Sequence, residues 1–233
     1  MKKIFIYIIL LSSFVISGCS STNVTDIPVG GTYDENTMES LIDPPEKTPF
    51  ILQQMINIAD KKAKKEVLPG RILAWSAKTA ISSGLLELYV EEDAAEYLDG
   101  RLVKILRIII SYMIPSPFAV DINSQNYKSF GITEEEMRGL QGTKTIDIIA
   151  SFSEQEKAAL NYAQALSKTP IVLNQTILDD IRAQFTEKEI VVVAALIAKV
   201  NYWARLIEAL RIKSAGYTDD PVLNLDEYSS FVR

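Results

Sequence analysis

Apolar side chains recur at three- and four-residue spacing through the middle of the chain, and this spacing predicts amphipathic helices. The segment 154–167 is the clearest case, because its apolar residues fall on one side of a helical wheel. The segment 191–198 is apolar at every position and, taken alone, also fits a buried strand. No glycine or proline interrupts residues 171–215. We therefore expect one long helix there, apolar nearly all round and central in the fold.

Three capping-box sequences mark where helices begin. Each has a serine or threonine followed three residues later by glutamate, at Thr133–Glu136, Ser153–Glu156 and Thr186–Glu189. In this arrangement the hydroxyl accepts a hydrogen bond from the third amide of the helix, and the glutamate reaches back to the capping residue's amide. The three sequences predict helices that start at or just after residues 133, 153 and 186.

Four further segments are predicted to be helical, at about 50–64, 71–90, 101–114 and 117–130. The helix 101–114 ends at Pro115 and sets a strongly apolar side against a basic stripe of Arg101, Lys104 and Arg107. No segment shows the sustained alternation of a half-buried strand. The predicted fold class is therefore all-α, with the helices packed as a bundle.

The N-terminal residues have the pattern of a secretory signal. Lys2 and Lys3 precede a mostly apolar run from residue 4 to 16, which is shorter than the roughly 20 residues that span a bilayer. The sequence Ile-Ser-Gly-Cys then ends at Cys19 and resembles a bacterial lipobox, in which cleavage leaves the cysteine as the lipidated first residue. We predict that Cys19 anchors the chain to a membrane. The alternative is an uncleaved anchor with an incidental cysteine.

The chain divides into four predicted parts. A signal peptide covers 1–18, Cys19 and a polar, turn-rich tether cover 19–45, the helical domain covers 46–216, and a tail covers 217–233. Ser20 follows the cysteine, where the inner-membrane retention signal would place aspartate. The predicted location is therefore the bacterial cell envelope, on the outer membrane facing the periplasm.

Composition limits the chemistry that the chain can perform. Its 233 residues include no histidine and one cysteine, and the formal net charge is −6. Without histidine, acid–base catalysis near pH 7 needs a carboxyl, lysine or tyrosine with a shifted pKa. A single cysteine excludes an intrachain disulfide, a dithiol cycle and a cysteine-rich metal site. The acidic charge disfavours nucleic acid as a partner. We also predict that the chain binds no metal and no cofactor.

Three segments, in order, resemble the alkylhydroperoxidase (carboxymuconolactone decarboxylase) family. The segment 153–166 is similar to the helix that follows the family's active site, and 185–205, ending Asn-Tyr-Trp-Ala-Arg, is similar to its last core helix. Residues 107–131 have the layout of the active-site segment. The resemblance covers roughly residues 65–211. It implies an alkylhydroperoxidase-like helical bundle that forms a homo-oligomer.

The family's redox residues are missing at the matching positions. In the family, a glutamate is followed at fixed spacing by two cysteines and a histidine, which supply an acidified thiol, a resolving thiol and a proton relay. The matching positions here hold Lys104, Ser116, Ala119 and Asn123. The mature chain has no other cysteine and no histidine. We therefore predict that the family's redox activity is absent.

Polar residues near these positions have two interpretations. Lys104, Ser116, Asp121 and Asn123 could form a repurposed pocket for an anion. The set Asn201, Trp203 and Arg205 could also line a pocket. The structural interpretation makes Ser116 and Asn123 caps or hydrogen-bonded core groups, places Lys104 in a solvated stripe, and puts the second set in the core or a subunit interface. We favour the structural interpretation.

Two functional hypotheses follow. The first is a membrane-anchored, non-catalytic domain of this fold that binds a small ligand or an envelope protein. The second is an enzyme of altered, non-thiol chemistry in the old pocket. The first needs only a stable fold and a binding surface, and we favour it.

Overall fold

The computed structural model describes residues 40–114, 116–142 and 145–218. Over these ranges it contains nine α-helices and no β-strand. The predicted signal peptide, Cys19, most of the predicted tether and the tail beyond Thr218 lie outside the described residues. The all-α fold class predicted from the sequence is confirmed.

The helices follow one another with short connections. Their bounds are α1 Phe50–Ala63, α2 Leu68–Ile72, α3 Ala77–Tyr97, α4 Gly100–Met113, α5 Pro117–Ser124, α6 Glu134–Leu140, α7 Glu154–Ser167, α8 Gln175–Gln184 and α9 Glu187–Ala209. Three single 3₁₀ turns lie between them, at Leu73–Trp75, Tyr127–Phe130 and Ile146–Ile148.

All three predicted capping boxes are present. Thr133, Ser153 and Thr186 each accept a hydrogen bond from the third amide of α6, α7 and α9. In each case the glutamate three residues on accepts one from the amide of the capping residue, at 2.8 Å. These helices begin where the sequence predicted.

Two predicted helices have different bounds in the structure. The segment 71–90 is interrupted at Ser76, whose extended backbone ends a 3₁₀ turn and whose hydroxyl caps α3 by accepting from the Thr79 amide. The segment 117–130 stops at Ser124, because the backbone of Gln125 leaves the helical region (ψ 130°) and Asn126 then takes a left-handed conformation (φ 57°) that asparagine tolerates. The helix α8 starts at a further cap, Asn174.

The helix α9 is the centre of the bundle and packs against α3, α4, α5, α7 and α8. Its neighbour α4 contributes a continuous buried side that includes Ile105, Leu106 and Ile108–Ile110. Within the described ranges α9 is also the one helix long and apolar enough to cross a membrane. Most of its buried side chains, among them Val193, Leu196 and Ile197, belong to the main hydrophobic core, as expected for the central helix of a bundle.

Candidate functional site

Four charged side chains from three helices pair with one another, and we call them the charge network. They are Glu87 and Glu91 on α3, Arg107 on α4 and Lys199 on α9. The Arg107 guanidinium lies 3.3 Å from the Glu87 carboxylate and also pairs with Glu91. The Lys199 ammonium lies 3.2 Å from Glu87 and donates a hydrogen bond to Glu91. Two positive and two negative charges therefore share one site.

Burial makes the pairing in this network important. The Lys199 side chain is 1% exposed, whereas Glu91 and Glu87 are 27% and 41% exposed. Burial lowers the pKa of Lys199, and the nearby Arg107 cation lowers it further. Burial alone would raise the pKa of Glu91, but Arg107 and Lys199 outweigh it and hold that pKa below its ordinary value. A buried ammonium is tolerated only with such partners.

Glu87, Glu91 and Lys199 were not predicted from the sequence as site residues. Two signals were present in the sequence. Lys199 follows the apolar run 191–198, where a lysine implies a buried partner, and Glu87 and Glu91 are four residues apart and so share one side of a helix.

Asn123 on α5 is connected to the charge network through hydrogen bonds. Its amide nitrogen donates to Ser111 Oγ at 2.9 Å, and its carbonyl accepts from Arg107 Nη1 at 3.3 Å. Ser111 in turn donates to the Arg107 carbonyl at 2.7 Å. Asn123, predicted from the sequence to match the family's histidine, is thus held by two residues of α4.

The two positions predicted from the sequence to match the family's cysteines, Ser116 and Ala119, have structural roles. Ser116 is fully buried, caps α5 by accepting from the Ala119 amide, and hydrogen-bonds the Glu208 side chain. Ala119 is 1% exposed and belongs to the hydrophobic core. Neither side chain is a redox group.

Lys104 lies on α4 between two arginines that are both engaged in ion pairs. Arg101 pairs with Glu136 and Glu156 at 2.6 and 2.7 Å, and Arg107 belongs to the charge network. The predicted solvated stripe is therefore wrong, because carboxylates from other helices cover both of its ends.

Lys104 itself is partly buried and lies 5.4 Å from the centre of the Phe130 ring. Burial and the neighbouring Arg107 lower its pKa to about 8. None of the hydrogen bonds or ion pairs among the described residues joins it to Ser116 or Asn123, and Arg107 reaches Asn123 instead.

Asp121 holds the C-terminal segment and does not line a pocket. It is fully buried, and its carboxylate accepts hydrogen bonds from Ser214 Oγ (2.6 Å), the Tyr217 amide (2.9 Å) and the Thr218 amide (2.8 Å). The Tyr217 ring packs edge-on against Phe118. The pocket role proposed for Asp121 is therefore corrected to a structural one, and the first residues of the predicted tail are part of the packed domain.

The residues Asn201, Trp203 and Arg205 also have structural contacts. Asn201 donates to Ser167 Oγ at 2.9 Å, and Arg205 reaches the Ser167 carbonyl at 3.4 Å, so both hold the end of α7. Trp203 packs on a second apolar cluster around Phe118 and meets the Tyr202 ring edge-on. The described contacts do not connect these three side chains to the charge network.

A surface groove of about 250 Å³ lies elsewhere, between α7 and α8. It is lined by Asp147, Glu154, Lys157, Ala158, Asn161, Asp180 and Gln184. Within the ranges that the structure describes, no three Asp, Glu, His or Cys side chains are grouped so as to hold a metal ion.

Solved structures with the same fold were found by comparison with known proteins. No protein-family model and no curated protein matches the chain. Among solved structures, it is similar to the debrominase Bmp8, with 18% identity and a TM-score of 0.67 over 81% of this chain and 97% of the other. It is also similar to peroxidase-related proteins from Ralstonia eutropha (14%, TM-score 0.63, 80% and 95%) and Silicibacter (13%, TM-score 0.64, 78% and 95%).

The Ralstonia protein is described as an alkylhydroperoxidase AhpD core. The chain therefore has the AhpD-like all-α fold, and the resemblance found in the sequence is confirmed at the level of the fold.

Proposed function

We propose that this chain is a lipid-anchored envelope protein whose AhpD-like domain acts by binding and not by peroxide chemistry. The observation that carries the proposal is the set of side chains at the family's redox positions. Ser116 caps a helix, Ala119 lies in the core and Asn123 is hydrogen-bonded to Ser111 and Arg107. A hydroxyl, a methyl group and a carboxamide cannot replace a thiolate pair and an imidazole in peroxide reduction.

The first prediction is that the mature chain carrying Cys19→Ser consumes no peroxide. With a dithiol reductant and an alkyl hydroperoxide, the expected rate equals that of the buffer without protein, because no residue can form the thiolate that attacks the peroxide. The measurement is peroxide loss over time. A rate that is proportional to protein concentration would contradict the proposal.

Anchoring is supported by the N-terminal pattern: two lysines, an apolar run, small residues and then Cys19. The second prediction is that Cys19→Ser abolishes incorporation of labelled fatty acid and releases the chain from membranes, since the thiol is the acceptor of the lipid. Ser20→Ala is the matched control and should keep the label. Fatty-acid labelling of the Cys19→Ser variant at the wild-type level would show that the anchor is elsewhere.

Self-association is part of the proposal, with a second copy of the chain as the partner. Its support is α3, where Ser83 and Ala94 are the only buried residues among 21 described positions. The exposed side chains of α3 include the apolar Leu86, Leu88 and Tyr89, which point in different directions around the helix. A helix that is apolar on more than one side usually has a second packing surface. The domain also binds a small ligand or an envelope protein in this proposal, and nucleic acid is disfavoured by the charge of −6.

A second candidate function, an enzyme of non-thiol chemistry, is favoured by one observation. The lowered pKa of Lys104, about 8, is a property of amines that react with carbonyl compounds. Against it, the polar group at the family's histidine position, Asn123, contacts Arg107 and Ser111. We therefore keep binding as the primary proposal.

A further inference from the structure

The outward side of α1 is apolar at one end and basic at the other. Phe50, Ile51 and Ile58 are 77%, 39% and 63% exposed, whereas Leu52 and Ile56 of the same helix are buried. At 3.6 residues per turn, positions 51, 58 and 62 lie along one line of the helix, and positions 50, 54, 57 and 61 lie beside it. The exposed lysines Lys61 and Lys62 therefore continue the side that starts with Phe50 and Ile51.

Lysines are concentrated along this helix. Residues 41–66 contain five lysines and four acidic residues, in a chain whose net charge is −6. Two of the acidic residues, Asp60 and Glu66, are paired with Arg71 at 2.7 and 2.6 Å, and the other two, Asp43 and Glu46, are exposed. One of the five lysines, Lys65, is held by the carbonyls of Ala215 and Gly216. The other four are exposed.

Trp75 adds an exposed aromatic side chain beside the first described residues. Trp75 is 65% exposed, and its indole N–H donates to the Asp43 carbonyl at 2.8 Å. Leu41 and Ile42, next to Asp43, are 45% and 41% exposed. An apolar ring with one hydrogen-bonded polar atom is the chemistry that favours tryptophan at a membrane interface.

We propose that these residues form a membrane-contact face that lies on an anionic phospholipid surface. The face is defined by Leu41, Ile42, Phe50, Ile51, Ile58, Trp75 and the lysines Lys47, Lys61, Lys62 and Lys64. Apolar and aromatic side chains enter the headgroup region, and lysines bind anionic headgroups.

The predicted lipid anchor also supports a bilayer as the occupant of this face, and the proposal rests on that anchor for its orientation. The 20 residues 20–39 separate Cys19 from the first described residue, Ser40. A lipid-anchored chain is held at a membrane surface, where exposed lysines and apolar side chains of its domain can meet anionic headgroups.

The test uses the mature chain with Cys19→Ser, so that no lipid contributes to binding. The described residues all belong to one compact unit, which this chain retains in full. Binding is measured by co-sedimentation with vesicles of phosphatidylglycerol and phosphatidylethanolamine, and with vesicles of phosphatidylcholine alone. We expect binding to the anionic vesicles that weakens at least tenfold in 0.5 M salt. Trp75 fluorescence should shift to shorter wavelength on binding.

Two variants and one control distinguish binding through this face from non-specific attraction of the chain to the vesicles. Lys61→Gln with Lys62→Gln should weaken the partition coefficient by about 5-fold per lysine. Phe50→Ser with Trp75→Ser should weaken it at least tenfold. The control Ile148→Ser removes an equally exposed apolar residue (72%) from the 3₁₀ turn packed on α7, and it should change nothing.

Three outcomes would overturn the proposal: no binding to anionic vesicles, equal binding by the wild type and both face variants, or a dimer that the same face variants dissociate. The last outcome would assign the face to a second copy. The result is independent of the anchor, because the tested chain carries no lipid. Failure here leaves the Cys19 labelling experiment unaffected, and failure of labelling leaves the vesicle result unaffected.

Discussion

Glu91→Gln is expected to lower the free energy of unfolding by about 3 kcal/mol at pH 7. Glu91 pairs with both Arg107 and Lys199, and the Lys199 side chain is 1% exposed. Without the Glu91 carboxylate, Arg107 and Lys199 share a single carboxylate of the network, that of Glu87. A buried ammonium without sufficient compensation is one of the few causes of a destabilisation this large.

Chemical denaturation measures this effect, with Glu92→Gln as the matched control. Glu92 is exposed and adjacent in sequence, so its change should stay within about 0.5 kcal/mol. Adding Lys199→Met to Glu91→Gln should recover most of the loss, because Arg107 and Glu87 then remain as a neutral pair. Equal destabilisation by Glu91→Gln and Glu92→Gln would show that the network contributes nothing beyond surface charge.

The pH dependence of the same variant follows from the lowered pKa of Glu91. In the unfolded chain this carboxyl has its ordinary pKa of about 4.5, so on acidification it binds a proton before the folded chain does. Its contribution is therefore fully present above that value and is lost as the pH falls through the folded pKa. Wild-type stability should decrease more steeply below pH 4.5 than that of Glu91→Gln.

The sequence predicted the helix starts because capping acts within four residues. Thr133, Ser153 and Thr186 each carry the whole signal next to the helix that they begin. The break at Ser76 was missed for a related reason. Apolar residues continue on both sides of it at helical spacing, and its capping bond to Thr79 competes with the helix in a way that periodicity does not show.

The pairing in the charge network was not predictable from spacing, since its carboxylates and its cations lie on helices that are separate in the chain. Lys199 and Glu91 are 108 residues apart, and only the packing of α9 against α3 brings them together. The sequence could show that Lys199 interrupts an apolar helix but not which carboxylate it meets. The same limit applies to Asp121, whose partners lie more than 90 residues away in the C-terminal segment.

For Lys104 the sequence predicted the correct side of the helix but the wrong solvent exposure of that side. Its spacing from Arg101 and Arg107 does place the three cations on one side of α4. That side is covered by carboxylates from α3, α6 and α7, so both arginines are paired. Lys104, between them, is left partly buried against Phe130.

The resulting prediction is that Lys104→Met raises the free energy of unfolding at pH 7 by about 2 kcal/mol. The pKa of Lys104 is lowered from 10.5 to about 8 because burial and Arg107 disfavour its charged form. At 1.36 kcal/mol per pKa unit this corresponds to a penalty of about 3 kcal/mol for charging the folded protein. The cation–π contact between the Lys104 ammonium and the Phe130 ring offsets part of this penalty. Methionine keeps the apolar stem and removes the charge.

The sign of the pH dependence distinguishes this explanation from a simple packing gain. Below pH 8 the lysine is protonated in both states, so the full penalty is present. Between about 8 and 10.5 the unfolded chain holds the proton and the folded chain does not, so wild-type stability rises with pH. Above 10.5 neither state is charged. The advantage of Lys104→Met should therefore be constant up to pH 8 and disappear by about pH 10.5.

Denaturation at pH 7, 9 and 10.5 measures this difference, with Lys78→Met as the control. Lys78 is exposed on α3, so its replacement should leave stability within about 0.5 kcal/mol at each pH. A pH-independent gain by Lys104→Met would indicate packing alone. A loss at pH 7 would instead mean that the ammonium is stabilised by a bound anion. In that case inorganic phosphate should raise the melting temperature of the wild type but not of Lys104→Met. We expect the gain, because the two arginines beside Lys104 already occupy the carboxylates that this side of α4 offers.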